Sequence, residues 1–319
     1  MKQMLLVLCC VCCSPVFAQP QLQTWQVDGV KREALVYLPQ DAKAVAMPVV
    51  LVFHGHGGSM QNTYRQFRYH EHWPEACSIY LQGLNTPGQL TDPEGKKTGW
   101  QKSAGDQQDR DLKFVDIVLA WLRSNYRVDD RRIYSTGHSN GGGFTYLLWA
   151  ERGAQFAAFA PSGSAAIRMQ GKLQPRPLFH VAGSNDPLVK FAWQQFTSES
   201  VKRLNGCAEG KPDGPRMTRY ESSRGTPVVT WISTGGHKFP VESVPAAVSF
   251  LKQHQLPLPD AASSRDQQDK ASPQIAPGES GPDTDAEESA TPRERIRAGL
   301  RNGCRSGNLE TRAGVPRRL

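Results

Sequence analysis

The segment Arg132-Ile133-Tyr134-Ser135-Thr136-Gly137-His138-Ser139-Asn140-Gly141-Gly142 joins a short apolar strand to the glycine-rich start of a helix, and its Gly137-His138-Ser139-Asn140-Gly141 has the form Gly-x-Ser-x-Gly. A serine at the centre of that pattern occupies a sharp, strained strand-to-helix turn that lifts its hydroxyl above the sheet. Flanking glycines suit such a turn because a Cβ there would strike the neighbouring strand or helix. The helix that follows also aims its positive end at the hydroxyl, which favours developing negative charge. The plain alternative is a glycine-rich structural turn. The strand before Ser139 and the small residues after it favour the nucleophile.

Working outward, the pattern alternates. Residues 24–27 and 33–37 read as strands around an Asp28-Gly29 hairpin turn. The unbroken apolar run Val49-Val50-Leu51-Val52-Phe53 is that of a strand covered on both faces. Residues 79–81, 132–135, 156–160, 178–182 and 228–232 are further strands. Apolar residues at helical spacing predict helices over 111–126, 142–152, 191–204 and 246–254, with Asp109 or Asp111 as the cap of the first. Strand and helix in turn imply a mostly parallel sheet with helices on both faces. In such sheets the chemistry gathers on loops beyond the carboxyl ends of strands.

A serine hydroxyl needs a base, and the base needs an orienter. Downstream of Ser139 the foldable region holds His180, His237 and His254. His237 follows Gly235-Gly236 on a loop directly after the strand 228–232, whereas His180 sits within an apolar strand and His254 closes a helix, facing solvent. Asp186, on the loop leaving the strand 178–182, is the carboxylate with the right chain order. Glu199 and Asp213 are weaker choices, on a helix and in a Pro/Gly loop. The loop His54-Gly55-His56-Gly57-Gly58 ends an early strand, and the backbone amides of His56 and Asn140 are the expected donors to an oxyanion. His54, His56, His70 and His72 form two His-x-His pairs, but no carboxylate-rich segment accompanies them, so neither a metal nor another cofactor is expected.

The chain has 319 residues and a net charge of +8, spread without a groove-like stripe, and it carries no nucleic-acid motif. Residues 1–18 have the grammar of an export signal: Lys2, an apolar run too short to span a bilayer, and Val16-Phe17-Ala18 before Gln19. Roughly 240 residues, 19–256, then suit one large α/β domain. From 257 to 319 Pro, Gly, Ser, Asp and Arg dominate, and this tail is expected to be disordered. Of seven cysteines, four leave with the signal. Cys304 lies in the tail. For Cys77 and Cys207 a disulfide and two ordinary thiols are equally open readings.

Together, Phe53-His54-Gly55, Gly99-Trp100, the segment 132–142, residues 156–161 and Gly235-Gly236-His237 resemble the extracellular polyhydroxybutyrate depolymerase and feruloyl or acetyl-xylan esterase group of α/β-hydrolases. The resemblance implies an α/β-hydrolase fold and a secreted or periplasmic serine esterase, with Ser139 as nucleophile, His237 as base and Asp186 as orienter. Its substrates would be feruloyl or acetyl esters of polysaccharide, or hydroxyalkanoate esters. Asp111 with Phe114 matches part of an acidic helix-start signature. The chain departs from the group at Arg110, which replaces an acid, at Lys190, which replaces a proline, and at Lys238-Phe239-Pro240, where Trp-Pro is common. Trp100, Trp193 and Phe239 are candidates for pocket walls, with buried structural roles the plainer reading. A monomer without membrane anchor is expected. A serine peptidase of the same fold, and a non-catalytic binding protein on this scaffold, are the rival readings.

Overall fold

The apolar run around Leu51 forms the middle of a twisted sheet in the computed structural model, which describes residues 19–88 and 90–258. The expected export segment, Cys304 and all but two residues of the expected polar tail lie outside the described residues. Along the chain come β1 (Gln21–Val27), β2 (Val30–Tyr37), β3 (Met47–Phe53), α1 (Met60–Phe67), α2 (Tyr69–His72), β4 (Cys77–Leu81), β5 (Leu84–Asn85), β6 (Thr98–Gly99), α3 (Arg110–Asn125), β7 (Val128–His138), α4 (Asn140–Arg152), β8 (Ala158–Ser162), β9 (Leu178–Gly183), α5 (Phe191–Asn205), β10 (Lys211–Pro212), β11 (Met217–Tyr220), β12 (Val228–Ser233) and α6 (Val244–Lys252). Among the described residues ten strands form one sheet in the order β1-β2-β4-β3-β7-β8-β9-β12-β11-β10. The six central strands, β4 to β12, run parallel, and the two outer strands at either edge are antiparallel.

Every residue of β3 is buried. Alternate side chains point to opposite faces, so Val49, Leu51 and Phe53 pack with Leu112, Val115, Phe144 and Trp149 of α3 and α4. Val50 and Val52 pack with Met60, Phe67, Trp73, Val248 and Leu251 on the α1, α2 and α6 side. Each such side chain contributes on the order of 2 kcal/mol of burial. The registers Phe53↔Gly137, His138↔Ser162, Ser162↔Val181 and Ser233↔Gly183 bring the carboxyl ends of five parallel strands level at one edge.

The structure corrects several expectations. Asp109 stands at the N-cap position of α3 but has φ 58° and no bond to the helix; its carboxylate accepts from the Gln101 side chain and the Gly105 amide, both at 2.8 Å. Asp111 is not a cap either. It is fully buried and pairs at 2.7 Å with Arg32, also fully buried, while its second oxygen accepts the Gln101 amide at 2.8 Å. The guanidinium also donates to the carbonyls of Arg110 and Gln82 and lies 4.3 Å from the Phe114 ring centroid. The acidic helix-start signature is thus a buried ion pair binding β2 to α3. His254 is half-buried rather than solvent-facing, with Nδ1 donating to the Phe250 carbonyl at 2.7 Å. Helix α1 has a polar sequence without a helical apolar repeat: only Met60, Thr63 and Phe67 are buried, and Ser59 caps it by accepting the Asn62 amide at 3.2 Å. The antiparallel pair β10–β11 is short and only half-covered, and it lacks a continuous apolar run.

Cys77 and Cys207 are free thiols. Cys77 opens β4, while Cys207 bridges to Ser222 beyond β11. With five strands between β4 and β11, at about 4.8 Å per strand spacing, the sulfurs are far beyond disulfide reach.

Removing one partner of a buried ion pair leaves the other charge uncompensated. Asp111→Ala is therefore expected to lower unfolding stability by about 3–5 kcal/mol, measured by urea denaturation with an unchanged m-value.

Candidate active site

Ser139 sits on the turn between β7 and α4 with φ 55° and ψ −118°, a conformation that costs a non-glycine residue about 1–3 kcal/mol. Its amide donates to the Ser162 carbonyl at 2.9 Å, and its carbonyl accepts from Gly143 at 2.9 Å. The close approach of α4 to the sheet requires Gly141: a Cβ there would lie 2.4 Å from the Phe53 carbonyl oxygen and 2.5 Å from that of His54. The same crowding at Gly183, whose Cβ would meet the Gly235 and Gly236 carbonyl oxygens at 2.5 and 2.6 Å, presses together the loops after β9 and β12.

Those two loops carry Asp186 and His237. His237 Nε2 is 2.7 Å from Ser139 Oγ, and His237 Nδ1 is 2.7 Å from Asp186 Oδ2. The Asp186 carboxylate is almost entirely buried, yet it is well supplied with donors. The amides of Leu188 and Val189 reach Oδ1, both at 2.9 Å, and the Gln194 side chain reaches Oδ2 at 3.3 Å. Gln194 is fully buried in α5 and also donates to the Val189 carbonyl at 2.7 Å. Glu199 and Asp213, the weaker sequence candidates, instead pair with Lys202 and Arg219 on the surface.

The loop after β3 lies against Ser139: a Cβ on Gly55 would be 3.5 Å from that of Ser139. Trp100 ties the two together. Its indole donates to the His54 carbonyl at 2.9 Å, its amide donates to Asn140 Oδ1 at 2.7 Å, and its carbonyl accepts from Asn140 Nδ2 at 3.1 Å. The His56 imidazole is fastened to Asp92 at 3.0 Å, and Asp92 in turn accepts the amides of Lys96 and Lys97. No acceptor among the described residues takes the amide N–H of His56 or of Asn140. These two amides are the ones proposed for an oxyanion. His54 and His70 point their rings into the protein, to Gly55, Gly83 and Tyr80.

A cavity of about 380 Å³ opens beside Ser139, His237, His56 and Asn140, a size suited to a small ligand. Trp193 lines it and is partly exposed; Trp100 is a buried structural residue, and Phe239 stacks on Phe67 at 3.6 Å.

No family model matches the chain. Over 203 residues it is 27% identical to a probable feruloyl esterase C of Aspergillus clavatus, covering 60% of this chain and 70% of that one. Over 170 residues it is 29% identical to a bifunctional acetylxylan esterase/xylanase of Neocallimastix patriciarum, covering 51% of this chain but only 22% of that longer protein. In fold it is similar to an acetyl xylan esterase from Aspergillus awamori, with a TM-score of 0.54 at 14% identity over 73% of this chain and 99% of that one. The chain is an esterase of the α/β-hydrolase fold, similar to feruloyl and acetylxylan esterases.

Sequence reasoning about this esterase missed the groups that hold the named three. Gln194 carries no motif, since only folding brings a residue eight positions away back to Asp186. The variable position of the Gly-x-Ser-x-Gly pattern, His138, is another. Its Nε2 lies 2.8 Å from the His237 carbonyl, an acceptor, so Nε2 carries the proton. Burial, with the nearby His237 adding to it, holds the His138 imidazole down at about 4, so it is neutral and its Nδ1 accepts from Ser162 Oγ at 3.2 Å. His138 thereby braces the backbone of the His237 loop.

Burial likewise lowers His54 and His180 to about 4. These three rings stay neutral in the folded esterase while their unfolded counterparts, near 6.5, take up protons. Stability is therefore full above about pH 6.5 and is lost as pH falls from there toward 4, by on the order of 1 kcal/mol per pH unit for each ring. Urea midpoints across that range are expected to fall steadily, and His180→Asn is expected to make the fall shallower.

Proposed function

We propose that this esterase is an exported serine carboxylic-ester hydrolase, secreted or periplasmic and acting as a monomer, that cleaves feruloyl or acetyl esters of polysaccharide through an acyl-enzyme. The observation that carries the reading is the unbroken chain from Ser139 Oγ through His237 to Asp186, 2.7 Å at each link, beside the cavity. The names of the relatives supply the substrate class. The export reading rests on the N-terminal residues. No helix among the described residues is long and apolar enough to cross a membrane.

The chemistry follows from the hydrogen bonds. Asp186 accepts the Nδ1 proton of His237, which leaves the Nε2 lone pair facing Ser139 Oγ. As Oγ attacks the ester carbonyl carbon, its proton passes to Nε2 and the carbonyl oxygen becomes an oxyanion, held by the amides of His56 and Asn140. The imidazolium returns the proton to the departing alcohol, leaving the acyl group on Ser139. Water then attacks, His237 again takes and returns the proton, and the acid leaves.

Asp186→Asn gives a specific expectation. The Leu188 and Val189 amides hold the oxygen of the new carboxamide at the Oδ1 position, so its NH2 faces His237 Nδ1 and enforces the wrong tautomer. The fold is retained and kcat falls about 10⁴-fold. Ser139→Ala is expected to abolish fluorophosphonate labelling; unchanged labelling would remove Ser139 as the reactive residue. Initial rates on methyl ferulate, acetylated xylan, hydroxybutyrate oligomers and a peptide anilide test the class, with turnover expected on the first two. Cleavage of the anilide alone would establish a peptidase instead.

A further inference from the structure

The cavity beside Ser139 has an uneven charge that hydrolysis of a neutral ester does not require. Leu188, Val189, Trp193, Ile167 and Met169 make an apolar wall. Lys102 and Arg168 also line it, from the loops after β6 and β8, and no Asp or Glu is among the lining residues. A third cation, Lys190, stands 5.7 Å from the ring centroid of Trp193. Among the described residues none of these three cations makes an ion pair, whereas Arg123, Arg152 and Arg219 are tied to Asp130, Asp116 and Asp213. The neighbouring carboxylates are already engaged, Asp106 by the amides of Lys102 and Ser103. Asp92 is bound by His56 and two amides, and Asp186 by His237, two amides and Gln194. Cations left unpaired around a concave, partly apolar site focus a positive potential on whatever binds there.

We propose that this site selects esters bearing a carboxylate, with Arg168 and Lys102 holding that group and Lys190 drawing it in. Uronic acid residues on a polysaccharide are one source of such a carboxylate, on the alcohol side; a dicarboxylic acyl group is the other. The proposal rests on the hydrolase reading above and deepens it. A charged group remote from the reacting carbonyl binds equally in ground and transition states, so its effect belongs in KM rather than kcat.

The test compares matched esters with the full chain. On the acyl side, 4-nitrophenyl hydrogen adipate is set against 4-nitrophenyl hexanoate; on the alcohol side, carboxymethyl ferulate against ethyl ferulate. In one arm kcat/KM is expected to favour the anionic ester by roughly tenfold, the size of two partly solvated ion pairs. The preference should lie in KM, fade as salt is added, and approach unity in the Lys102→Gln/Arg168→Gln double variant. The arm that responds identifies the side of the ester. Ratios at or below one in both arms, or a ratio the double variant does not move, overturn the proposal. Calorimetric binding of the same pairs to Ser139→Ala separates the two claims. Anionic preference there with no turnover by the native protein sinks the hydrolase reading alone, while turnover of neutral esters without that preference sinks this one alone.

Discussion

The start of α4 presses so closely on the end of β3 that the Phe53 and His54 carbonyl oxygens would lie within 2.5 Å of any Cβ on Gly141. That approach bends the backbone at Ser139 into a conformation an L-residue resists, and the sheet on either side prevents it from relaxing. It also fixes the distance between the loop after β3 and the strand-to-helix turn, so that Trp100 reaches both, through His54 and through Asn140. The strain is local, and the buried β3, β7 and β8 carry it.

Around this turn, support comes from polar groups kept neutral or paired in dry surroundings. His138 and His54 are neutral because burial disfavours their charged forms, and each then accepts a bond that a protonated ring could not, His138 Nδ1 from Ser162 Oγ and His54 Nε2 from the Gly83 amide. The buried charge pair of Arg32 with Asp111 also bonds to the carbonyls of Arg110 and Gln82 and the amide of Gln101, leaving Arg32 Nε without a partner among the described residues. Its value lies in location: it ties the antiparallel edge of the sheet to the helix and loop that carry Trp100.

The mouth of the cavity follows a different rule from its floor. Below, Ser139, His237, Asp186 and Trp100 are held by partners within the chain, while Gln194 Oε1 and His56 Nδ1 are buried without one among the described residues. Above, cations stand without counter-charges and apolar side chains such as Ile167 and Leu188 are exposed. Groups left unmatched in a free protein are where a ligand gains most by binding.

Local pattern was enough for the alternation of strand and helix, the parallel centre of the sheet and the α/β-hydrolase class. Period-two and period-3.6 burial, turn glycines and chain order are all encoded within a few residues. It also nominated Ser139, Asp186 and His237, because each sits on a loop directly after a strand, and the level ends of parallel strands bring such loops together. What the sequence did not contain was the second layer of contacts. Gln194 on Asp186, His138 under His237, Asp92 on His56 and Arg32 on Asp111 join residues up to 99 positions apart, as His138 and His237 are. Such pairs depend on strand order and register, which are products of the whole core, and so only the tertiary structure decided them. The same holds for the cysteines, whose separation is set by the width of the sheet, and for Lys102 and Arg168, whose shared cavity no spacing along the chain foretells.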